Sequence, residues 1–197
     1  MKWKSLLALS FIVLAIESCN SEYTYKRKGY FAVPLPAKKY LLFDQPGYPY
    51  RFEYPVYGHV QKDSSFFGDA PENPWWLNID FPSLHGKIYV SYKNVNRNNF
   101  DSLVRDGFRL AYSRHTEMAT GIEDSVMRTE KGIEGIYFSL RGNTATANQF
   151  FLTDSVKHYL RGALYFDSSP NEDSLSTVNA FLRQDLLHLI NTFEWME

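Results

Sequence analysis

The sequence is short of cysteine, of long apolar runs and of excess charge, and each shortage excludes a class of protein. Its 197 residues include a single cysteine, so no disulfide can form within the chain. The apolar run from Leu6 to Ile16 is too short to cross a bilayer as a helix. Lysine and arginine number 21 against 22 acidic residues, and this balance argues against a nucleic-acid partner.

Recognisable catalytic and metal-binding motifs are also missing. The 5 histidines are scattered, and none has a second histidine or a cysteine at metal-ligand spacing. There is no glycine-rich phosphate loop and no nucleophile elbow. Asp154, Ser155 and His158 lie close together, but a turn held by side-chain bonds to backbone explains them better than a catalytic triad does. Asp185 and Glu194 are interpreted as solvated charges on the polar side of a helix. We therefore expect no catalytic site, no metal and no cofactor.

Aromatic residues, in contrast, are abundant: 15 Phe, 14 Tyr and 4 Trp. Such side chains pack well on pleated, half-buried surfaces, so they favour a sheet-rich fold. Most of the rings are expected in the core. The alternative is that some form a platform for stacking a sugar, with Trp75, Trp76 and Tyr159 as the candidates.

The N-terminal residues read as an export signal that ends at the only cysteine. Two lysines precede the apolar run, and Ile16-Glu17-Ser18-Cys19 resembles a bacterial lipobox, although a small residue is usual where Glu17 stands. The prediction is a lipoprotein signal peptide over 1–18, a covalent lipid on Cys19 and a polar tether over 19–28. The alternative is an ordinary signal peptide with an incidental cysteine.

Residues 29–74 are rich in proline and in aromatic rings. Proline cannot donate in a central ladder, so this segment is predicted to be an extended arm with edge strands at Tyr40–Phe43 and Arg51–Tyr54, followed by a loop over 61–74. We favour packing of its rings onto the rest of the protein, and a partner-binding surface is the alternative. Residues 75–197 are predicted to form the core domain.

The core is predicted to be a single α+β domain, an antiparallel sheet with helices on one or both faces. The predicted strands are 75–81, 87–92, 135–141, 145–153 and 159–166. The last three form a meander, with a two-residue turn at Gly142-Asn143. Apolar spacing from Phe100 to Tyr112 predicts a helix with its cap at Asn98 and its end near His115 to Thr120. A second helical or irregular piece over 122–127 and a final helix from Leu175 to Phe193 are predicted to follow.

Arg161 is the charge that the pattern explains least. It shares one strand face with Tyr159, Ala163 and Tyr165, and an arginine among rings and small residues needs a carboxylate or a ligand. One interpretation is an ion pair with Asp154 or with an acid on a packed helix. The other is a polar patch for docking a partner, made by the residues Asn143, Gln149, Asp154 and Arg161.

Six blocks of the sequence, spread from about Gly29 to Trp195, are similar to one family. They are KGYFAVPLP, PYRFEYP, KIYVSYK, SRHTEMATGIED, GNTATANQFFLTDSVKHYLRGALYF and PNEDSL. Together they resemble the gliding-motility lipoprotein GldD family of Bacteroidota. The meander and its closing helix also look like a PsbP/Mog1-type α/β/α sandwich, an analogy that fixes no function.

The resemblance implies a membrane-anchored, non-enzymatic component of the gliding apparatus linked to type IX secretion. It carries over no catalytic residues, only the lipid on Cys19. Its implied partners are other envelope proteins of gliding and secretion, and the membrane through the lipid. The expected location is the periplasmic side of a membrane, with the outer membrane favoured. The alternative function is a periplasmic module that binds a small ligand or a glycan.

Overall fold

The computed structural model describes residues 29, 32–64, 71–113 and 115–196. The strands are β1 (Tyr40–Phe43), β2 (Tyr50–Pro55), β3 (His59–Lys62), β4 (Leu77–Phe81), β5 (Gly86–Asn94), β6 (Ala119–Arg128), β7 (Glu134–Gly142), β8 (Asn148–Thr153), β9 (His158–Phe166) and β10 (Glu194–Trp195). The helices are α1 (Phe100–Tyr112) and α2 (Glu172–Thr192), with a short 3-10 helix at Pro82–Leu84. The predicted signal peptide over 1–18, the predicted lipid attachment at Cys19 and the predicted tether over 19–28 lie outside the described residues.

A seven-stranded antiparallel sheet, in the order β3-β4-β5-β9-β8-β7-β6, forms the centre of the protein. The predicted meander is confirmed as β7-β8-β9, with Phe150 opposite Tyr137 on one side and Gly162 on the other. Every residue of β8 is buried, because this strand is covered by side chains on both faces.

The two helices pack on opposite faces of this sheet. On one face, Leu182 and Leu186 of α2 share a buried cluster with Phe150 and Leu160. On the other face, in a smaller cluster, α1 residues pack against Phe138, Phe151 and Tyr159. Alternate residues along each strand therefore enter different cores, as the period of two in a strand requires. The α+β class is confirmed, and a helix lies at each of the two main predicted positions. The predicted end of α1 near His115 to Thr120 was wrong, because α1 ends at Tyr112 and β6 begins at Ala119.

The proline-rich segment is part of this packing. β1 and β2 pair with each other, and β10 pairs with β2, to give a three-stranded sheet. Phe43, Tyr50 and Phe52 are buried in the same cluster as α2. The bounds predicted for β1 are confirmed, β2 is one residue longer at each end than predicted, and residues 33–197 form one compact unit.

Three local predictions were wrong. Residues 122–127 lie in β6, an edge strand paired with β7, and not in a helical or irregular piece. The β7–β8 connection is longer than two residues, because after Gly142 (φ +98°) the hydroxyls of Thr144 and Thr146 bond backbone carbonyls within the loop. The residue before α1 is Asn99, not Asn98, and its side chain accepts from the Asn96 N–H instead of capping the helix.

The strands around the predicted loop 61–74 also differ from the prediction. His59–Lys62 forms β3, an edge strand that was not predicted. β4 begins at Leu77, two residues later than expected, because Trp75 and Trp76 are held outside the ladder. The Trp76 indole donates to the Tyr92 carbonyl at 2.7 Å, and the Trp75 indole donates to the Gly47 carbonyl at 2.7 Å.

Candidate functional site

Two of the four residues predicted as a docking patch lie together on the α1 face of the sheet. The guanidinium of Arg161, on β9, donates to the Oε1 atom of Gln149, on β8. Both residues point to the same side as Tyr159 and Phe151, as the alternation along the strand predicted. Arg161 is half-buried and Gln149 is fully buried.

The other two residues, Asn143 and Asp154, lie beyond opposite ends of β8 and take part in local structure. Asn143 Oδ1 accepts from the backbone N–H of Glu172 at 2.9 Å, which fixes the β7–β8 loop to the start of α2. Asp154 Oδ1 accepts from three successive backbone N–H groups, those of residues 156–158, at 2.8–2.9 Å. Burial acts to raise the pKa of Asp154, but these N–H groups outweigh it and the pKa is lowered.

The ion pair between Arg161 and Asp154 was therefore a wrong prediction. Asp154 faces its own turn, and throughout the described ranges no carboxylate lies within ion-pair distance of Arg161. Burial lowers the pKa of the Arg161 guanidinium, and the hydroxyls of Tyr165 and Tyr159 act against that shift. Three buried polar atoms on this face of the sheet have no hydrogen-bond partner: Gln149 Nε2, Tyr159 Oη and Asn78 Oδ1.

The structure does not assemble the three rings proposed as a sugar-stacking platform. Trp76 is buried in the α2-side cluster and Tyr159 in the α1-side cluster. Trp75 alone borders a cavity of about 460 Å³. The cavity lies between the β1–β2 loop, the end of β5 and the β8–β9 turn, and its lining includes Asp44, Tyr48, Trp75, Tyr92, Asn94, Lys157 and His158.

His158, at the wall of this cavity, is held by a chain of hydrogen bonds. The Tyr92 hydroxyl lies 3.2 Å from Asn94 Oδ1 and shares a hydrogen bond of 2.6 Å with His158 Nδ1. The imidazole also stacks on Trp195, with ring centroids 4.9 Å apart and an angle of 16° between the planes. This packing fixes the ring and limits its access to water.

We predict that His158 makes the protein less stable as the pH falls below about 6.5. Burial lowers the pKa of His158 below its ordinary value of 6.5, Lys157 adds to the effect, and Asp154 opposes it. In the window between the folded pKa and 6.5, the unfolded chain binds a proton that the folded chain does not, so stability is lost as the pH falls. Thermal unfolding at about pH 7.5 and about pH 5.5 should show a smaller drop in Tm for His158→Gln than for wild type. Equal drops would contradict this.

Sequence reasoning missed the most deeply buried carboxylate of the described residues. Asp185 is 1% exposed, and its oxygens meet Lys38 Nζ at 2.7 Å, the Tyr57 hydroxyl at 2.5 Å and the Tyr40 hydroxyl at 3.0 Å. Burial and the nearby Asp185 raise the pKa of Tyr40 to about 12. The prediction of a solvated charge was wrong, although Asp185 lies three residues after Leu182 and four before Leu189 in the apolar stripe. This cluster fixes the segment around β1 to α2.

Glu194 was also assigned wrongly. It belongs to β10 and not to the final helix, and it forms ion pairs with Arg51 and Lys131. Lys131 and Arg51 lower the pKa of the Glu194 carboxyl. These contacts hold the C-terminal strand to β2 and to the β6–β7 turn.

The remaining histidines and acidic residues are spread through the part of the chain that the structure describes. Among those residues, no group of three histidine, cysteine, aspartate or glutamate side chains could hold a metal ion. Ser155 sits in the turn held by Asp154, with φ of +63°. No helix of the described ranges is long and apolar enough to span a bilayer.

Helices pack on both faces of an antiparallel sheet, and this arrangement defines an α+β sandwich protein. Comparison with protein families then gives a specific result. The model of the family "gliding motility lipoprotein GldD" matches residues 20–195, and the chain belongs to this family. It is a gliding-motility lipoprotein by family.

The comparison with solved structures found similarity to the solution structure of cyanobacterial PsbP (CyanoP) from Synechocystis sp. PCC 6803. The two chains are 14% identical, with a TM-score of 0.46, and the match covers 85% of this chain and 98% of that chain. The comparison with curated proteins gave no match.

Proposed function

We propose that this protein is a lipid-anchored, non-enzymatic assembly or stability factor of the gliding apparatus, acting where that apparatus is linked to type IX secretion. The observation that carries the proposal is the family match over residues 20–195. The residues that resembled a triad support it, because Asp154 Oδ1 holds its own turn and Asp154 Oδ2 lies 4.0 Å from His158 Nε2, too far for the hydrogen bond that orients a catalytic histidine.

The proposal includes a lipid on Cys19 and a periplasmic location on the outer membrane. Several acyl chains, each contributing about 0.8 kcal/mol per buried CH₂, hold a protein firmly on a bilayer. Binding then takes place at the folded part of the chain, with Gln149 and Arg161 as the part of the predicted patch that the fold brings together. The partners proposed are other envelope proteins of gliding and secretion.

Deletion of the gene in the native host tests the proposal. The deletant should lose colony spreading and should secrete less of the type IX cargo, and the wild-type gene should restore both. A Cys19→Ser copy should fail to restore spreading and should leave the membrane fraction on cell fractionation. Normal spreading together with normal secretion in the deletant would rule the function out.

The cavity beside Trp75 supports a second candidate function, the binding of a small ligand or glycan in the periplasm. Its volume of about 460 Å³ and its lining by the part-exposed rings of Tyr48 and Trp75 suit a sugar ring, which stacks on aromatic faces. Sedimentation of the purified protein with peptidoglycan separates the two candidates. Retention that is lost in Trp75→Ala would favour the glycan, and the absence of any retention would remove this candidate.

A further inference from the structure

The aliphatic side chains of the proline-rich segment stay exposed to solvent, although many of its rings are buried. Eight large hydrophobic side chains are exposed in the described ranges, and five of them belong to this segment: Val33, Leu35, Leu41, Leu42 and Val56. We call these five residues the β1 patch, because they lie on β1, before it or beside it. Single exposed apolar residues are ordinary, but a group of them on one segment marks a surface that binds something.

Strand pairing brings part of the β1 patch together on one face. The backbone N–H of Val56 donates to the Lys39 carbonyl at 2.9 Å, so Val56 extends the pairing of β1 with β2 by one position. Val56 then lies diagonally across from Leu41, whose direct partner in the register is Tyr54. Diagonal neighbours of this kind are close enough for their side chains to interact. The exposed Lys39, opposite Val56, adds a cation to the same face.

β1 is also an open strand edge in the part of the chain that the structure describes, where it pairs with β2 and with no other strand. Leu42 projects from the face opposite to that of Leu41, because side chains alternate along a strand, and it is 56% exposed. Aliphatic side chains therefore border the edge on both faces and form a ridge. Such a ridge suits contact with a flat, extended surface.

The β1 patch includes the first residues of the fold that follow Cys19 along the chain. Val33 comes 14 residues after Cys19, so an extended chain between them spans at most about 50 Å. Apart from Lys38, which pairs with Asp185, the sequence between Cys19 and Tyr40 holds four basic residues and one acid. Basic residues next to an exposed apolar surface are typical of segments that lie on anionic lipid.

We propose that the β1 patch lies on the phospholipid bilayer that carries the lipid of Cys19. Its aliphatic side chains enter the boundary between headgroups and acyl chains, and Lys39 binds anionic headgroups. Open sheet edges do not occur within the hydrocarbon core, so the β1 backbone stays at headgroup level, where water and phosphate oxygens complete its hydrogen bonds. The inference rests on the lipid anchor of the proposed function and adds the orientation of the fold on the membrane.

This orientation keeps the far edge of the seven-stranded sheet away from the bilayer. β3 begins three residues after Val56 and forms one edge of that sheet, and β6 forms the other. Six strand spacings of about 4.8 Å place β6 about 29 Å from β3. Val126 of β6 is 84% exposed, so it is an apolar residue that the proposed contact does not include.

Fluorescence of the acylated lipoprotein, reconstituted in vesicles of phosphatidylethanolamine and phosphatidylglycerol, tests this contact. Cys19 is the only cysteine of the chain and its sulfur carries the lipid, so a cysteine introduced elsewhere is the one free thiol for an environment-sensitive dye. Leu41→Cys and Val56→Cys report on the β1 patch, and Val126→Cys is the matched control. All three positions are exposed, so the variants should fold. The same vesicles with nitroxide-labelled lipid supply a quencher.

The dye at positions 41 and 56 should emit at shorter wavelength and lose about half or more of its emission to the nitroxide lipid, because interfacial apolar groups lie about 5–10 Å deep. The dye at position 126 should do neither. Equal quenching at positions 41 and 126 would overturn the proposal. A shift at position 41 without quenching by lipid would assign the β1 patch to a protein contact and would overturn it too.

Two further variants separate the apolar and the charged contributions, with the dye kept at position 56. Leu41→Ser, Leu42→Ser should keep the wild-type Tm, because both side chains are exposed, but it should lose most of the quenching. Lys39→Gln should reduce quenching in the anionic vesicles and leave it unchanged in phosphatidylcholine. Quenching at the wild-type level in the double serine variant would refute the contact.

Mass spectrometry of the purified lipoprotein distinguishes failure of this inference from failure of the proposed function. Acyl groups on Cys19 together with an unquenched dye at position 41 would refute the β1 contact and leave the anchored assembly factor intact. A mature chain without acyl groups would refute the anchor, and the contact that rests on it.

Discussion

Replacement of Asp185 by alanine should destabilise the protein by about 3 kcal/mol or more, because it breaks a buried ion pair from one side. Lys38 would keep its charge close to the Phe181 ring, 3.4 Å from the ring centroid, without a carboxylate beside it. The hydroxyls of Tyr40 and Tyr57 would lose their shared acceptor at the same time. For a chain of this size the loss corresponds to roughly 6–12 °C in Tm.

Thermal and urea unfolding of the purified protein measure this effect. Gln184→Ala is the matched control, because Gln184 precedes Asp185 on α2 and is exposed. It should change the free energy of unfolding by less than about 0.5 kcal/mol. If Asp185→Ala cost no more than this control, the buried cluster would contribute nothing to stability.

Replacement of Gly162 by alanine should cost about 3 kcal/mol, because β9 has no space for a methyl group at this position. A Cβ there would lie less than 3.0 Å from Cε1 and Cζ of the Phe150 ring, on the neighbouring strand. Phe150 is 0% exposed and packs beneath α2, so its ring cannot turn away into solvent.

A double replacement identifies the cause of that loss. Phe150→Leu alone leaves a cavity and is itself destabilising. In the double variant, the smaller side chain at position 150 leaves room for the new methyl group. The double variant should therefore lose at least about 1 kcal/mol less stability than the two single variants lose in total. Gly29→Ala adds the same methyl group with nothing within 4 Å, and it should be neutral. Strict additivity of the two changes would mean that the ring is not the obstacle.

The sequence predicted those elements whose pattern is local and repeated. Tyr40–Phe43 was placed with the bounds that the structure has, since prolines flank it, and apolar spacing placed α1 although its end was predicted too late. β6 was missed because Glu123, Asp124 and Ser125 interrupt its alternation. An edge strand with little to bury carries a weak pattern, and only its pairing with β7 makes it a strand.

The candidate site was predicted only in part, because strand alternation is a local pattern. Alternation along β9 places Arg161 on its face, but it does not say which loop approaches that face, so Asn143 and Asp154 were grouped with it wrongly. The sequence could not predict the environment of Asp185, because its partner Tyr40 lies 145 residues away along the chain. A carboxylate inside an apolar stripe was the one available signal.

The pairing of β10 with β2 has a consequence for how the chain reaches its native state. Arg51 and Glu194, which bond across these strands, are 143 residues apart in sequence. Closing so long a loop carries an entropic cost that precedes the contacts, and such distant pairings form slowly. The rings of β1 and β2 therefore stay uncovered during synthesis until the last helix and strand have emerged. A chain that ends before Glu194 leaves β2 with an open edge, and an open strand edge is a general risk for aggregation.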